Sequence, residues 1–360
     1  MTKNDVEVNL KVYLKAYINK NLGDDLFIKV ITDRYKNCKF YIDADSKYLK
    51  IDNLKSYRQN KLKKNINRLI KLISKGKKSL DNYYMLNKDL CVIIGGSMFI
   101  ENKYSNMLRK SEKIKKDYYI LGANFGPYES EWYFNKYYNF FKDAKDVCFR
   151  EKKSYYLFKS IPQVRSASDI IFSFDTKNVI IKKSKKVIIS VIDCSKKIKG
   201  DFNYKETYEN KICELIDIFR KKGYSIKLMS FCKSEGDENA IASILSKCEN
   251  KEDIEIYYYR GNVDEALNVL GDSSVIIGTR FHANILGMIL NKTVIPIAYS
   301  DKTLNVLNDM NFKGRIFDIR DEEKFDVQSI TDEELNYISD ITNQVNDANN
   351  QFYGIDKVIK

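Results

Sequence analysis

Residues 272–302, DSSVIIGTRFHANILGMILNKTVIPIAYSDK, constrain the fold more than any other stretch. An apolar run over 274–278 is too short for a helix and ends in Gly-Thr-Arg. An apolar segment of helical length follows over 281–290, then a second apolar run over 293–298. Strand, helix and strand at this spacing read as a parallel crossover unit, buried on both faces of its sheet. Arg280 and His282 fall in the turn between the first strand and the helix, and His282 is the only histidine of the 360 residues. A lone histidine beside an apolar helix is commonly a hydrogen-bonded core residue. Here it sits at the carboxyl end of a strand, where open α/β sheets place ligands, and at a helix start, whose unpaired N–H groups favour anions. A guanidinium and an imidazole there would hold a doubly charged group and move a proton near neutral pH.

The same alternation runs through the rest of the chain. In the first half, strands are expected over 11–18, 90–96, 118–124 and 146–150, and helices over 26–35, 54–75 and 151–159, with another carrying Trp132 and Phe140. Gly23 permits a tight turn before the first helix, and Asp24 or Asp25 can cap it. Gly95, Gly96 and Ser97 close the second of these strands, where glycines serve either a turn or close approach to a ligand. Neither a dinucleotide fingerprint nor a P-loop is present. Periodicity lapses between 172 and 186. A second series then places strands over 187–192, 225–230, 254–258, 275–278 and 294–298, with helices over 204–222 and 237–248 and a final amphipathic helix over 332–349. The expected architecture is α/β: two Rossmann-like, doubly wound domains facing a cleft. The first spans residues 1–175, the second 176–330, and a helix and tail occupy 331–360.

Composition narrows the functions. Hydrophobic residues at 44% exclude a disordered chain, and no apolar run is long enough to span a bilayer. The first residues, MTKNDVEVNLK, lack the apolar core of a signal peptide, so a cytoplasmic location is expected. Seven cysteines lie far apart without a C-x-x-C pair; with one histidine a zinc site is not expected, and several, inside apolar strand-like runs, read as reduced core residues. The net charge of +13 is spread along the chain without a nucleic-acid module, so no nucleic-acid partner is expected. Basic runs such as Lys61 to Lys64 read as solvated faces, while the overall charge favours anionic substrates or a peripheral position at an anionic membrane surface.

A set of short motifs carries a resemblance. In chain order these are N-x-G-D (Asn21, Gly23, Asp24), I-I-G-G-S (Ile93 to Ser97), L-G-A-N-F-G-P (Leu121 to Pro127, with Asn124) and F-R-E-K-K-S (Phe149 to Ser154). S-F-x-x-x-E-G-D-E (Ser230 to Glu238), G-T-R-F-H-A (Gly278 to Ala283) and Y-S-D-K (Tyr299 to Lys302) follow. Their order and spacing together resemble the polysaccharide pyruvyl transferase family over most of the chain. The resemblance implies a fold similar to the B-type glycosyltransferases. It also implies transfer of pyruvate from phosphoenolpyruvate to two hydroxyls of one sugar as a ketal, in cell-surface or exopolysaccharide biosynthesis. No cofactor or metal is implied; the partners are phosphoenolpyruvate and a saccharide acceptor, with lipid-linked, nucleotide-linked and polymeric acceptors all open. Oligomeric state leaves no signal.

Carried onto this sequence, the family's R-x-H element falls on Arg280 and His282, and its arginine after a strand of the first domain on Arg150. The resemblance makes Arg280 and Arg150 a clamp for the donor's phosphate and carboxylate, and His282 the group that transfers a proton or stabilises the departing phosphate. Asn21, Gly23, Gly95, Gly96, Ser97, Asn124, Tyr299 and Lys302 complete the expected donor site. Ile94 stands where the family often has a third glycine. Asp24 is the candidate base for the acceptor hydroxyl, with helix capping as its alternative role. Tyr299 and Lys302 also read as residues opening the next helix; Glu235 and Asp237 lie at another strand-to-helix junction, with Asp237 as a capping residue and both outside the catalytic set. Two other readings stay open on sequence alone: a nucleotide-sugar glycosyltransferase of the same architecture, and a non-catalytic binder of anionic glycans.

Overall fold

The computed structural model describes residues 10–44, 48–57, 61–74, 85, 87–101, 114, 116–182, 184–198, 203–321 and 323–359. The chain divides into two compact units. One comprises Met1–Ile18, Phe27–Ser173 and Val345–Lys360; the other comprises Asn19–Leu26 and Phe174–Gln344.

The first unit holds a seven-stranded sheet in the order β3-β2-β1-β4-β5-β6-β7, every pair parallel. Its strands are β1 (Lys11–Lys15), β2 (Lys39–Asp43), β3 (Leu54–Tyr57), β4 (Leu90–Ile94), β5 (Tyr118–Ala123), β6 (Asp146–Phe149) and β7 (Val164–Ser166). The order reverses between β1 and β4, as in a doubly wound sheet. β4, β5 and β6 are buried at every residue, which is why they read as unbroken apolar runs. On one face, helices Glu131–Lys142 and Lys152–Phe158 pack an aromatic core. Phe158 sits 4.8 Å from Phe141 and 4.9 Å from Phe125, edge to face. Ser130 caps the first of these helices by accepting the Tyr133 N–H.

The second unit repeats the topology with six parallel strands in the order β10-β9-β8-β11-β12-β13. These are β8 (Lys186–Ser190), β9 (Ser225–Ser230), β10 (Glu255–Tyr258), β11 (Val275–Gly278), β12 (Thr293–Ala298) and β13 (Phe317–Asp318). Helices Asn203–Lys221 and Asp237–Lys247 cover one face, joining Val187, Ile189, Leu228 and Ile277 in a single core. β10 lies at the sheet edge; its Glu255 pairs with Lys227 and Lys186, a charged rim that discourages strand addition.

Several expectations are corrected. The first helix runs Leu22–Arg34, starting before the expected 26. Asn21 is its cap: its backbone oxygen accepts Asp25 N–H at 2.9 Å and its side chain accepts Gly23 N–H at 3.0 Å. Gly23 therefore lies in the first turn rather than in a preceding tight turn, and Asp24 and Asp25 are first-turn residues rather than caps. The helix expected over 54–75 begins as β3 and becomes helical only over Lys61–Ile73, with 58–60 and 75 outside the described residues. β2, β3, β7 and β13 were not expected; β3, β7 and β13 lie at sheet edges and β2 is buried only at alternate residues, so none leaves an unbroken apolar run.

The segment after 331 is not one helix. Short helices Asp332–Leu335, Thr342–Ala348 and Tyr353–Ile359 replace it, and Val345–Lys360 belongs to the first unit rather than forming a tail. Polar anchors explain this docking. Asp356 pairs with Arg34 at 2.8 Å, Asp347 accepts Ser168 N–H at 2.7 Å, and the Gln351 amide donates to Ala167 O at 2.9 Å. Finally, Cys213 in helix Asn203–Lys221 and Cys248, which follows helix Asp237–Lys247, form a disulfide, which was not expected. Cys38, Cys91, Cys148, Cys194 and Cys232 are free and buried.

Candidate functional site

In the second unit the strand order reverses between β8 and β11, and the Arg280–His282 turn follows β11 at that point. Arg280 is the N-cap residue of helix Phe281–Ile289, in an extended backbone conformation. Its N–H donates to Ser190 Oγ at 3.1 Å, and Thr279 N–H donates to Ser190 O at 3.1 Å, so the last residue of β8 holds the turn. Gly278 closes β11 because Asn284 packs against it: a Cβ there would lie 1.9 Å from Asn284 Oδ1.

The Arg280 side chain is 8% exposed and enters a carboxylate network. Its Nε donates to Asp237 Oδ2 at 3.0 Å, Nη2 to Asp237 Oδ1, and Nη1 to Glu235 Oε2. Asp237 also accepts the Phe231 and Cys232 N–H groups at 2.8 and 2.9 Å. Lys197 Nζ donates to the same Glu235 oxygen as Arg280, and Asn21 Nδ2 donates to the other at 3.2 Å. Two cations and two carboxylates thus neutralise one another. Burial works against the Arg280 cation, yet Asp237 and Glu235 hold its pKa well above the ordinary value. Burial also opposes the Glu235 anion, but Arg280 and Lys197 outweigh it and hold the carboxyl at about 2. Burial pushes the Asp237 carboxyl up, against the pull of Arg280 and the two amides.

His282 is 9% exposed and meets Phe281 edge to face at 5.1 Å. It packs directly on Gly23, where a Cβ would lie 1.8 Å from Nδ1. That contact gives Gly23 its role, since no larger residue leaves room for the imidazole. Lys302 Nζ lies 4.9 Å from the centre of the Phe281 ring, and half-buried Tyr299 interacts electrostatically with Arg280. Asn21, Gly23, Arg280, His282, Tyr299 and Lys302 are therefore gathered around the ends of β8, β9, β11 and β12. Asp24, half-buried, occupies the helical turn beside Gly23.

The remaining expected residues form a separate cluster in the first unit, at the ends of β4, β5 and β6. Arg150 has no exposed side-chain surface; Nη1 pairs with Asp169 at 2.9 Å and Nη2 donates to Asn124 Oδ1 at 2.7 Å. A Cβ on Gly96 would meet the Arg150 guanidinium at 2.3–2.4 Å, so this glycine makes room for the arginine. Asn124 N–H donates to Gly96 O at 2.8 Å. Gly95, also buried, follows β4 with a φ of 144°, and Ser97 is exposed. The two arginines expected to grip a donor are both engaged by carboxylates within their own units.

Four contributors were not selected from sequence. Glu235 and Asp237 were left outside the catalytic set, Asp237 as a cap, yet they organise Arg280. Lys197 lies in a single helical turn, Cys194–Lys197, among many lysines, with no sequence signal to distinguish it. Asn284 is 2% exposed, and neither amide atom has a hydrogen-bond partner among the described residues; a polar residue inside an otherwise apolar helix was the available signal. Among the described residues no group of three or more metal-ligating side chains converges.

The chain resembles several known proteins. It is 24% identical over 273 residues to the amylovoran biosynthesis protein AmsJ of Erwinia amylovora, covering 68% of this chain and 63% of that protein, so it spans under two thirds of that relative's length. The fold is shared with Anabaena Alr3699/HepE, solved in complex with UDP-glucose: TM-score 0.58, 11% identity and 98% of each chain covered. It is shared equally with a UDP-N-acetylglucosamine 2-epimerase described as putative, from Listeria monocytogenes: TM-score 0.56, 9% identity, 98% of this chain and 97% of that one covered. At such identities these structures speak to the two-domain α/β fold alone. The sequence profile described as polysaccharide pyruvyl transferase matches residues 14–301, and with most of its length inside that match the chain belongs to the polysaccharide pyruvyl transferase family.

Proposed function

We propose that this protein transfers pyruvate from phosphoenolpyruvate to two hydroxyls of one sugar, forming a ketal on a saccharide of cell-surface or exopolysaccharide biosynthesis. The observation that carries the reading is His282: the only imidazole of the chain, held on Gly23 beside Arg280 where the strand order of the second sheet reverses. Membership of the family supports a transferase of this kind.

The chemistry follows from the donor. Protonation of the methylene carbon creates an oxocarbenium-like centre at the adjacent carbon. A sugar hydroxyl adds there and gives up its proton, the C–O bond to phosphate breaks, and a second hydroxyl closes the ring with loss of its own proton. One proton ends on the new methyl group and one on phosphate. Neither metal nor covalent enzyme intermediate is demanded by this sequence of steps. His282 serves as the proton donor to carbon or to the leaving phosphate, worth about 10²–10⁴-fold in rate. Arg280, committed to Asp237 and Glu235, acts by fixing the turn that presents His282. Lys302 and the first N–H groups of helix Phe281–Ile289 receive the donor's anionic groups. Asp24 takes the acceptor proton.

Incubation with phosphoenolpyruvate and saccharide acceptors, read as acceptor-dependent phosphate release and a ketal signal by NMR, tests the reading. Turnover that drops by at least about 100-fold in His282→Ala with unchanged circular dichroism supports it. Nucleotide release from a nucleotide sugar, with no phosphate from phosphoenolpyruvate, would replace it with glycosyl transfer.

A further inference from the structure

The helix Lys61–Ile73, KLKKNINRLIKLI, follows β3 at the edge of the first sheet. Its apolar residues Leu62, Ile66, Leu69, Ile70 and Ile73 recur at the i, i+4, i+7, i+8, i+11 spacing of a single helical stripe, with Leu72 on its border. In a helix packed on a domain such a stripe faces the core. Here Ile66 is 43% exposed, Leu69 58% and Ile73 77%, with Leu72 at 71%. The remaining positions carry five cations (Lys61, Lys63, Lys64, Arg68, Lys71), two asparagines and no acid.

We propose that this helix docks the protein on an anionic lipid surface, lying in the plane of the membrane with Ile66, Leu69 and Ile73 among the acyl chains and Arg68 at the headgroups. At thirteen residues it is about 20 Å long, too short to span a bilayer and long enough to lie in its interface. Charge selects this occupant over others. A second copy of the helix, packed stripe to stripe, would bring five cations against five with no acid on either side. A polyanion without an apolar phase would use the cations and leave the stripe in water. An anionic bilayer satisfies both faces at once. The inference uses neither the donor nor the acceptor of the proposed reaction, so it stands or falls separately.

Flotation of the full-length protein with phosphatidylglycerol-containing vesicles and with pure phosphatidylcholine vesicles tests it. Binding is expected to the anionic vesicles and to fall at high salt. The triple substitution Ile66→Asn, Leu69→Asn, Ile73→Asn should lower partitioning by at least about tenfold while leaving the thermal midpoint unchanged. Arg68→Gln should lower it about fivefold on anionic vesicles only. Several results would overturn the assignment: equal binding to neutral vesicles, binding retained by the triple variant, or no vesicle binding. A dimer abolished by the triple variant would hand the stripe to a second copy, and a triple variant that fails to fold would make the stripe a core face.

Discussion

Glu235→Gln tests the charge network directly, because it keeps the side-chain volume and removes one anion from between Arg280 and Lys197. The carboxyl falls from its ordinary 4.5 to about 2 in the fold. At about 1.4 kcal/mol for each tenfold change, that corresponds to about 3 kcal/mol of favourable charge interaction at neutral pH, an upper bound. The side chain is 17% exposed, so solvent screening removes only part of it. The sign follows from linkage: a carboxyl depressed in the fold stabilises above its unfolded pKa, and that contribution drains away as pH falls from about 4.5 towards about 2. The expected result is a variant weaker than the parent by up to about 3 kcal/mol near neutral pH, with the two converging through that acid window. Urea unfolding followed by circular dichroism at a series of pH values supplies both curves. Their difference isolates Glu235 from Asp237, which burial shifts in the opposite direction. A constant offset across the whole range, or no offset at neutral pH, would show that Glu235 is not held by the two cations in solution.

Three further outcomes are expected. Gly23→Ala drives a methyl group to within 1.8 Å of His282 Nδ1 in the present geometry, so the imidazole must move; turnover should fall on the order of 100-fold, and an unchanged rate would detach His282 from its seat on the helix. Arg150→Ala leaves Asp169 buried without its cation and should cost about 3–5 kcal/mol in the first unit; a variant with unchanged stability that loses only affinity for phosphoenolpyruvate would restore Arg150 to the donor clamp. Cys213→Ser opens a bridge between positions 35 residues apart, for which chain-entropy reasoning gives a loss of about 3–4 kcal/mol; a midpoint equal to the parent's under oxidising conditions would mean the disulfide does not form in solution.

The architecture was legible because long strands buried on both faces leave an unbroken apolar signature. β4, β5, β11 and β12 all fall within the expected ranges. Short strands such as β3 and β13 were not, since their stability comes from a neighbouring strand rather than from their own pattern. The end of the chain misled for a related reason. Val345–Lys360 looks like a free amphipathic tail, but its attachment to the first unit rests on Asp347, Gln351 and Asp356 meeting partners hundreds of residues earlier or nearly so.

Motif order alone determined where to look: Arg280 and His282 at the end of a buried strand, with Gly23 among the companions. Only the folded chain decided what each does. It turned Gly23 into the floor under an imidazole, gave Arg280 to Asp237 and Glu235, enlisted Lys197, and closed Arg150 against Asp169 and Gly96. A guanidinium has the same name in a sequence whether it faces a ligand or a carboxylate. Which one it meets depends on through-space distance, and spacing along a chain does not encode distance between residues brought together by different strands.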